Sequence, residues 1–282
     1  MIQPVKRDDA LLADIASVGS EDSDLHVWWL GQSGFLIKVA GSSLLFDPYL
    51  SDSLTKKYAA TDKPHTRMTE RCIAPERLTD IRLVTASHIH TDHLDAETLL
   101  PLAQSNPDFT LFLPEPILEE GRQRLADAPI QLQPFCEKTQ WYGDWTINGV
   151  ASAHNDLKRN EFGQCHYLGF IAQRGGYTLY HSGDTLWHEE LMPALRAFEI
   201  DLMLLPINGN KPERRVSGNL NGTEAAALAK ACGARMVVPC HYDMFTFNTE
   251  TPDEFVSVCQ RLQQPHHVMQ CGEHLTLKRR EE

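Results

Sequence analysis

Four side chains able to bind a metal ion fall within six residues: His88, His90, Asp92 and His93. They follow directly on residues 81–86 (IRLVTA), a largely apolar run that reads as a strand buried on both faces. On an extended segment leaving such a strand, positions two apart project to the same side, so His88 and His90 can grip one ion together. Asp92 and His93 come where the chain turns into a helix and can aim a carboxylate and a third imidazole at a second ion. A polar loop or a helix cap would explain a lone His-x-His. It does not explain four such groups at the end of a buried strand, where imidazole and carboxylate without partners are costly. The pattern therefore predicts metal binding.

Three further segments repeat one arrangement, a strand with a ligand-type residue at its end: Val150-Ala-Ser-Ala-His154, Tyr180-His-Ser-Gly-Asp184 and Val237-Val-Pro-Cys-His241. Each is weak alone. Together with the His88–His93 cluster they resemble the metallo-β-lactamase fold superfamily, from Leu25 to about Phe245. Within it the segments Trp28-Trp-Leu-Gly-Gln-Ser-Gly-Phe-Leu-Ile-Lys38, Tyr180-His-Ser-Gly-Asp-Thr185 and Val238-Pro-Cys-His-Tyr-Asp243 are most similar to the ascorbate-6-phosphate lactonase-like hydrolases. The resemblance implies an αββα sandwich with a dinuclear metal site between its sheets. It implies that His88, His90 and His154 bind the first ion, that Asp92, His93 and His241 bind the second, and that Asp184 bridges both. It also implies that Asp47 anchors the loop of residues 88–93; a strand-ending Asp-Pro turn is the alternative. Residues 51–80 and 155–164 have no counterpart in the resemblance.

Two divalent cations set against Asp92, Asp184 and one hydroxide leave such a site net positive. That lowers the pKa of bound water and stabilises an oxyanion. The expectation is a hydrolase in which a metal-bound hydroxide cleaves a small, anionic, phosphorylated lactone or ester. Phosphodiester hydrolysis on the same scaffold and iron-based redox chemistry are the alternatives. Imidazole and carboxylate suit zinc, manganese and iron alike, with zinc or manganese expected. Asp92 is the candidate to return a proton to the leaving group, a metal-bound water being the other. His181, three residues before Asp184, is read either as a contact to the site or substrate or as a core histidine bonded to backbone. Asn221-Gly-Thr-Glu224 is read as a helix capping box.

Lys211-Pro-Glu-Arg-Arg215 sets three cations against one acid; Lys56, Lys57, Lys63 and Arg67 add to them, and Lys158 and Arg159 follow His154. Lining the cleft, these would funnel an anionic substrate, with Arg214 and Arg215 among its contacts. Solvated surface charge is the alternative.

Positioning these groups requires strands that end together. A helix over 8–18 precedes β-like runs at 26–30, 35–40 and 43–46, with Gly31, Gly34 and Gly41 as turn signals. A long surface excursion covers 51–80. Strands and helices then alternate: a strand over 81–86, a helix capped by Asp95, a strand over 109–113, a helix over 116–126 and a strand over 130–135. Strands over 145–153, 167–172 and 177–180 form a second meander. A helix over 187–198, a strand over 200–205, a helix over 223–232, a strand over 236–239, a helix over 252–263 and a closing strand pair follow. We read one four-layer α/β domain over residues 1–282. Trp28, Trp29, Trp141 and Trp145 are expected in packing.

Composition bounds the rest. Of 282 residues 42% are hydrophobic and 23% charged, as in a folded enzyme and unlike a disordered or collagen-like chain. Lys plus Arg number 26 against 38 Asp plus Glu, a net charge of −12 that disfavours a nucleic-acid polymer as partner. No run of 18 apolar residues and no leader-like start is present, so a cytoplasmic protein without membrane contact is expected, acting on a small molecule, with a homo-oligomer left open. Seven cysteines without a C-x-x-C pair read as buried free thiols.

Overall fold

Short apolar runs separated by glycine-bearing turns fold into an antiparallel meander at the start of each half of the chain. The computed structural model describes residues 1–126 and 128–279. Helix α1 (Asp8–Ser17) precedes strands β1 (Leu25–Gly31), β2 (Gly34–Val39) and β3 (Ser42–Phe46), which pair antiparallel. Gly41, at φ 71°, supplies the left-handed residue in the turn between β2 and β3. After helix α2 (Ser53–Tyr58), strands β4 (Leu83–Thr85), β5 (Thr110–Pro114) and β6 (Gln131–Phe135) continue this sheet in parallel, connected by helices α3 (Ala96–Ser105) and α4 (Leu118–Arg124). The second sheet holds β7 (Thr139–Tyr142), β8 (Trp145–Ala151), β9 (Leu168–Arg174) and β10 (Tyr177–His181), all antiparallel neighbours. It is completed by β11 (Leu202–Pro206) and β12 (Met236–Cys240), parallel to β10, with helices α5 (Leu191–Leu195) and α6 (Gly222–Ala231) between. Helix α7 (Asp253–Leu262) then leads to β13 (His274–Leu277), which returns to the first sheet beside β1.

The seven-stranded sheet runs β13-β1-β2-β3-β4-β5-β6 and the six-stranded sheet β12-β11-β10-β9-β8-β7. Strand alternation sorts β1 between two cores. Val27 and Trp29 pack toward the second sheet with Phe35, Ile37, Phe46, Phe170 and Leu179, whereas Trp28 and Leu30 pack outward with Leu11, Leu99 and Leu102 of the helices. Beyond the second sheet, Ala225 and Leu228 of α6 and Phe255 of α7 close the same inner core. The result is the expected αββα sandwich. β1 is buried at every position because both of its faces are covered. No helix among the described residues is long and apolar enough to cross a membrane.

Several expectations change in detail. The helix expected over 187–198 is only Leu191–Leu195, because the preceding residues are drawn out against the end of β8: Leu186 N donates to Ala153 O at 2.7 Å, and His188 Nε2 lies 3.0 Å from Ala151 O. The closing strand pair is one strand, β13; the would-be partner adds only a parallel bridge from His266 to Val237. β7 was not foreseen, and on it Trp141 is 73% exposed rather than packed. Asp95 begins α3, but its carboxylate accepts the hydroxyls of Ser51 and Thr98 instead of capping backbone. All seven cysteines are free, with Cys136 and Cys232 only partly buried. The Asn221–Glu224 capping box is present.

The two sheets approach each other closely where β10 ends. Gly183 has φ 58°, and a Cβ there would lie 2.5 Å from the Cβ of Ser87, which follows β4. Gly183→Ala is expected to lower unfolding free energy by about 2–4 kcal/mol in urea denaturation. Gly163→Ala, also at positive φ but with nothing within 4 Å, is expected to cost only about 1 kcal/mol.

Candidate metal centre

Strand polarity gathers the ligand-type residues. β8 and β10 each pair antiparallel with β9 and so run the same way, with β11 and β12 parallel to β10. Their C-terminal ends release His154, Asp184 and His241, and β4 of the facing sheet releases His88. After His88 the chain curls: the N–H groups of His93 and Leu94 both donate to His90 O, at 3.1 and 2.9 Å. That turn brings the His93 ring back to 4.1 Å from the His88 ring, centroid to centroid.

The seven residues converge in three overlapping groups: His88, His90 and His154; His88, His93 and Asp184; Asp92, His93 and His241. Asp184 Oδ1 lies 3.3 Å from His93 Nε2, and its Oδ2 lies 3.4 Å from His241 Nε2 and 3.7 Å from His154 Nε2. Asp92 Oδ2 is 3.6 Å from both His93 Nε2 and His241 Nε2. These separations are long for hydrogen bonds. They match atoms that share one ion: ligands held tetrahedrally at roughly 2.0–2.1 Å from zinc lie about 3.4 Å apart. His88 Nε2, His93 Nε2 and Asp184 Oδ1 are buried with no hydrogen-bond partner. Buried polar atoms left unpaired are costly, and a cation satisfies all three at once, so the residues present fit a metal.

Three of the buried imidazoles are aimed by their other nitrogen. His93 Nδ1 meets Asp47 Oδ2 at 2.7 Å, His154 Nδ1 meets Gly218 O at 2.9 Å and His88 Nδ1 meets Ser87 Oγ at 3.0 Å. Asp47 also accepts from Thr85 Oγ1 at 2.8 Å and from Ser87 N at 3.1 Å. Fully buried at φ 37°, it ties the end of β3 to Thr85, Ser87 and His93. Gln32 was missed in the sequence. Its Nε2 donates to Asp92 Oδ2 at 2.8 Å and lies 3.0 Å from His241 Nε2, while its carbonyl accepts His241 N at 3.0 Å. The only signal was its place in the Gln-Ser-Gly turn of the segment 28–38.

Electrostatics divide the histidines. Burial pushes His88 and His154 below the ordinary imidazole range, so both are neutral at pH 7, the form in which imidazole can bind a cation. His93 and His241 are pulled up in spite of burial by the carboxylates of Asp184 and Asp92. Burial opposes ionisation of Asp184, yet His241 and His93 hold it well below the usual carboxylate range. The centre is thus strongly polar inside an apolar shell.

It forms the floor of a cleft of about 530 Å³, walled by residues of the 51–68, 215–217 and 245–248 segments. Of the sequence-predicted cations, Lys57, Lys63 and Arg215 line it. Arg214 does not: it is paired with Glu250 and braces Asn208 O and Thr249 O, at 2.6 and 3.0 Å. Lys56, Arg67, Arg159 and Lys211 are likewise engaged, with Glu97, Asp52, Glu137 and Glu250, and Arg215, though it lines the cleft, is paired with Asp62. The funnel is therefore narrower than the sequence suggested. His181 is absent from the lining; its Nε2 lies 2.8 Å from Ser33 O and its ring stacks on Phe46 at 4.8 Å, the core arrangement of the two foreseen. Tyr242 is also buried, its hydroxyl donating to Met269 O.

Asp47→Asn keeps volume and one acceptor but loses the charge behind His93. It is expected to weaken metal affinity about 10–100-fold in a chelator-competition titration. Unchanged affinity would mean that Ser87 alone orients His93.

Comparison with known proteins bears on the family and the fold. A metal-dependent hydrolase from Salinibacter ruber is 29% identical over 230 residues, covering 78% of this chain and 86% of its own. Among solved structures, a metallo hydrolase from the archaeon Ignicoccus hospitalis has a TM-score of 0.65 at 20% identity, covering 91% of this chain and 100% of that one. The isothiocyanate hydrolase from Delia radicum gut bacteria has a TM-score of 0.71 at 17% identity, covering 89% and 98%. The beta-lactamase superfamily domain matches residues 26–241, a span that runs from β1 to the last ligand-type histidine, and the chain belongs to that family.

Proposed function

We propose that this chain, a metal-dependent hydrolase of the metallo-β-lactamase fold, holds two divalent ions and cleaves a small anionic ester or lactone. Phosphorylated lactones, the substrates implied by likeness to the ascorbate-6-phosphate lactonase group, are the first to test. One observation carries the dinuclear reading: the Asp184 carboxylate lies between two ligand sets, with His154 Nε2 at 3.7 Å on one side and His241 Nε2 and His93 Nε2 at 3.4 and 3.3 Å on the other. His88, His90 and His154 would hold one ion and Asp92, His93 and His241 the other, with Asp184 touching both.

When bound, the ions supply Lewis acidity, activating water and polarising the oxygen of the scissile group. The chain's own groups do the rest. Asp92, with Oδ2 engaged by Gln32, keeps Oδ1 to take the proton of the attacking water and return it to the departing alkoxide. Lys57, Lys63 and Arg215 at the cleft wall hold the anionic part of the substrate. His88, His93 and His154, each fixed through Nδ1, keep the ligand set rigid, so little rearrangement accompanies reaction.

Asp184→Ala is expected to reduce bound metal from two equivalents to one or none by elemental analysis. It should also lower kcat on whichever ester or lactone the wild type turns over with added zinc or manganese by at least about 1,000-fold. Full activity in this variant would overturn the assignment. Arg215→Ala is expected to raise KM for phosphorylated esters about three- to tenfold and leave neutral esters unchanged. Arg214→Ala, by contrast, should lower Tm with no such discrimination, because its partners are Glu250 and backbone carbonyls.

A further inference from the structure

The cleft wall has a second chemical character that hydrolysis of a small polar lactone does not use. Tyr58, His65, Phe245 and Phe247 line it beside the cations. The His65 ring lies 4.5 Å from Tyr58, 5.1 Å from Phe247 and 5.3 Å from Phe245 between centroids, so the four form a continuous aromatic shelf. Tyr58, His65 and Phe247 are half-buried, with ring surface left over. The shelf belongs to neither main core. It stands on a small cluster of its own, Tyr49, Leu54, Met244 and Phe245, over which Arg67 lies at 5.6 Å from the Tyr49 ring. A separate apolar cluster whose rings open into a metal-bearing cleft is a place for a ligand's apolar face.

The cations beside it are available. Among the described residues neither Lys57 nor Lys63 faces a carboxylate at ion-pair distance; Lys57 Nζ meets Thr91 Oγ1 at 3.3 Å and Lys63 Nζ meets Arg215 O at 2.5 Å. In a chain with 38 acidic residues, whose other cations near the cleft are mostly paired, two such lysines at one cleft are notable. Lys57 Nζ sits 5.3 Å from the Tyr58 ring centroid, so the cationic and aromatic features adjoin, and Thr91 places both next to Asp92.

We propose that the substrate is bipartite, an ester or lactone carrying an anionic group bound by Lys57 and Lys63 and an aryl group lying on the Tyr58–His65–Phe247 shelf. This rests on the hydrolase reading above and narrows it from small anionic esters to aryl-bearing ones. A cleft of about 530 Å³ accommodates such a molecule. A sugar-phosphate lactone would engage the lysines and leave the shelf wet.

Binding can be read apart from turnover, by calorimetric titration of the metal-loaded full chain with methyl phosphate, phenyl phosphate and phenol. Phenyl phosphate is expected to bind about tenfold more tightly than methyl phosphate, and phenol at least about tenfold more weakly than phenyl phosphate. Phe247→Leu and Tyr58→Leu, which keep apolar volume and are checked for an unchanged Tm, should reduce the phenyl preference below about threefold with methyl phosphate affected less than about twofold. Lys57→Met with Lys63→Met should weaken both phosphates alike, about tenfold. Equal affinity of the two phosphates in the wild type, or a phenyl preference that survives both leucine variants, overturns the aryl subsite. Phosphate binding indifferent to the lysine variants, held by the ions only, overturns the anion subsite. Hydrolysis of matched alkyl and aryl phosphoesters and lactones at equal kcat/KM would refute the aryl class while leaving the hydrolase. Absence of all hydrolysis with the binding preferences intact would refute the hydrolase and leave the bipartite site.

Discussion

Nitrogen and oxygen atoms that no protein group satisfies, buried where strands from two sheets end, are the constraint around which the structure is arranged. His88 Nε2, His93 Nε2 and Asp184 Oδ1 each carry a desolvation cost of roughly 1–3 kcal/mol without a partner, and more for the charged carboxylate. The chain tolerates this because both sheets rest on extensive apolar cores, with β1 buried on both faces. It also prevents the unsatisfied atoms from finding one another. His93, His154 and His88 are tied by Nδ1 to Asp47, Gly218 O and Ser87, so the other nitrogen of each points into the shared volume and cannot turn away. Rigid placement of the imidazoles is what makes a cation the group that completes the centre.

Backbone conformations that few residues adopt serve the same end. Gln32, Asp47 and His241 all have positive φ, at 50°, 37° and 62°. Such conformations cost of order 1 kcal/mol or more each and persist where the surroundings over-determine them. Here Gln32 and His241 are joined by their backbones, Gln32 O accepting His241 N, as well as by side chains. This joins the turn after β1 to the end of β12, and so fastens the first sheet to the second at the metal-ligand edge. Gly183 against Ser87 is a second such fastening.

Floor and walls of the cleft have different origins. The floor comes from strand ends that strand polarity brings to one edge; the walls come from the connecting segments 51–68, 215–217 and 245–248. Loops of this kind can change charge and apolar character without disturbing the sheets, so the same floor can be matched to different substrates. Here Lys57, Lys63 and Arg215 line the cleft, whereas Arg67 and Arg214, with planar forks suited to several acceptors at once, hold the walls together.

Much of this was written locally. The ligand-type residues were legible because His88, His154, Asp184 and His241 each lie within three residues of an apolar strand end, and the spacing from His88 to His93 is short enough for one loop to explain. The strands of both meanders, the capping box at Asn221 and the acidic charge balance were legible for the same reason, since propensity and periodicity act over a few residues. Gln32, the shelf of Tyr58 and Phe247, the engagement of Arg214 and the shortening of α5 were not. Each depends on a partner far along the chain: Asp92 for Gln32, Phe247 for the His65 ring that stands beside Tyr58, Glu250 for Arg214, Ala151 and Ala153 for the segment before α5. Sequence alone determined which chemical groups are present and which stand at strand ends, because those are properties of short segments. Only the tertiary structure decided which atoms stay unpaired, which cations face the cleft and which rings join them, because long-range packing, not local spacing, selects each group's nearest neighbour.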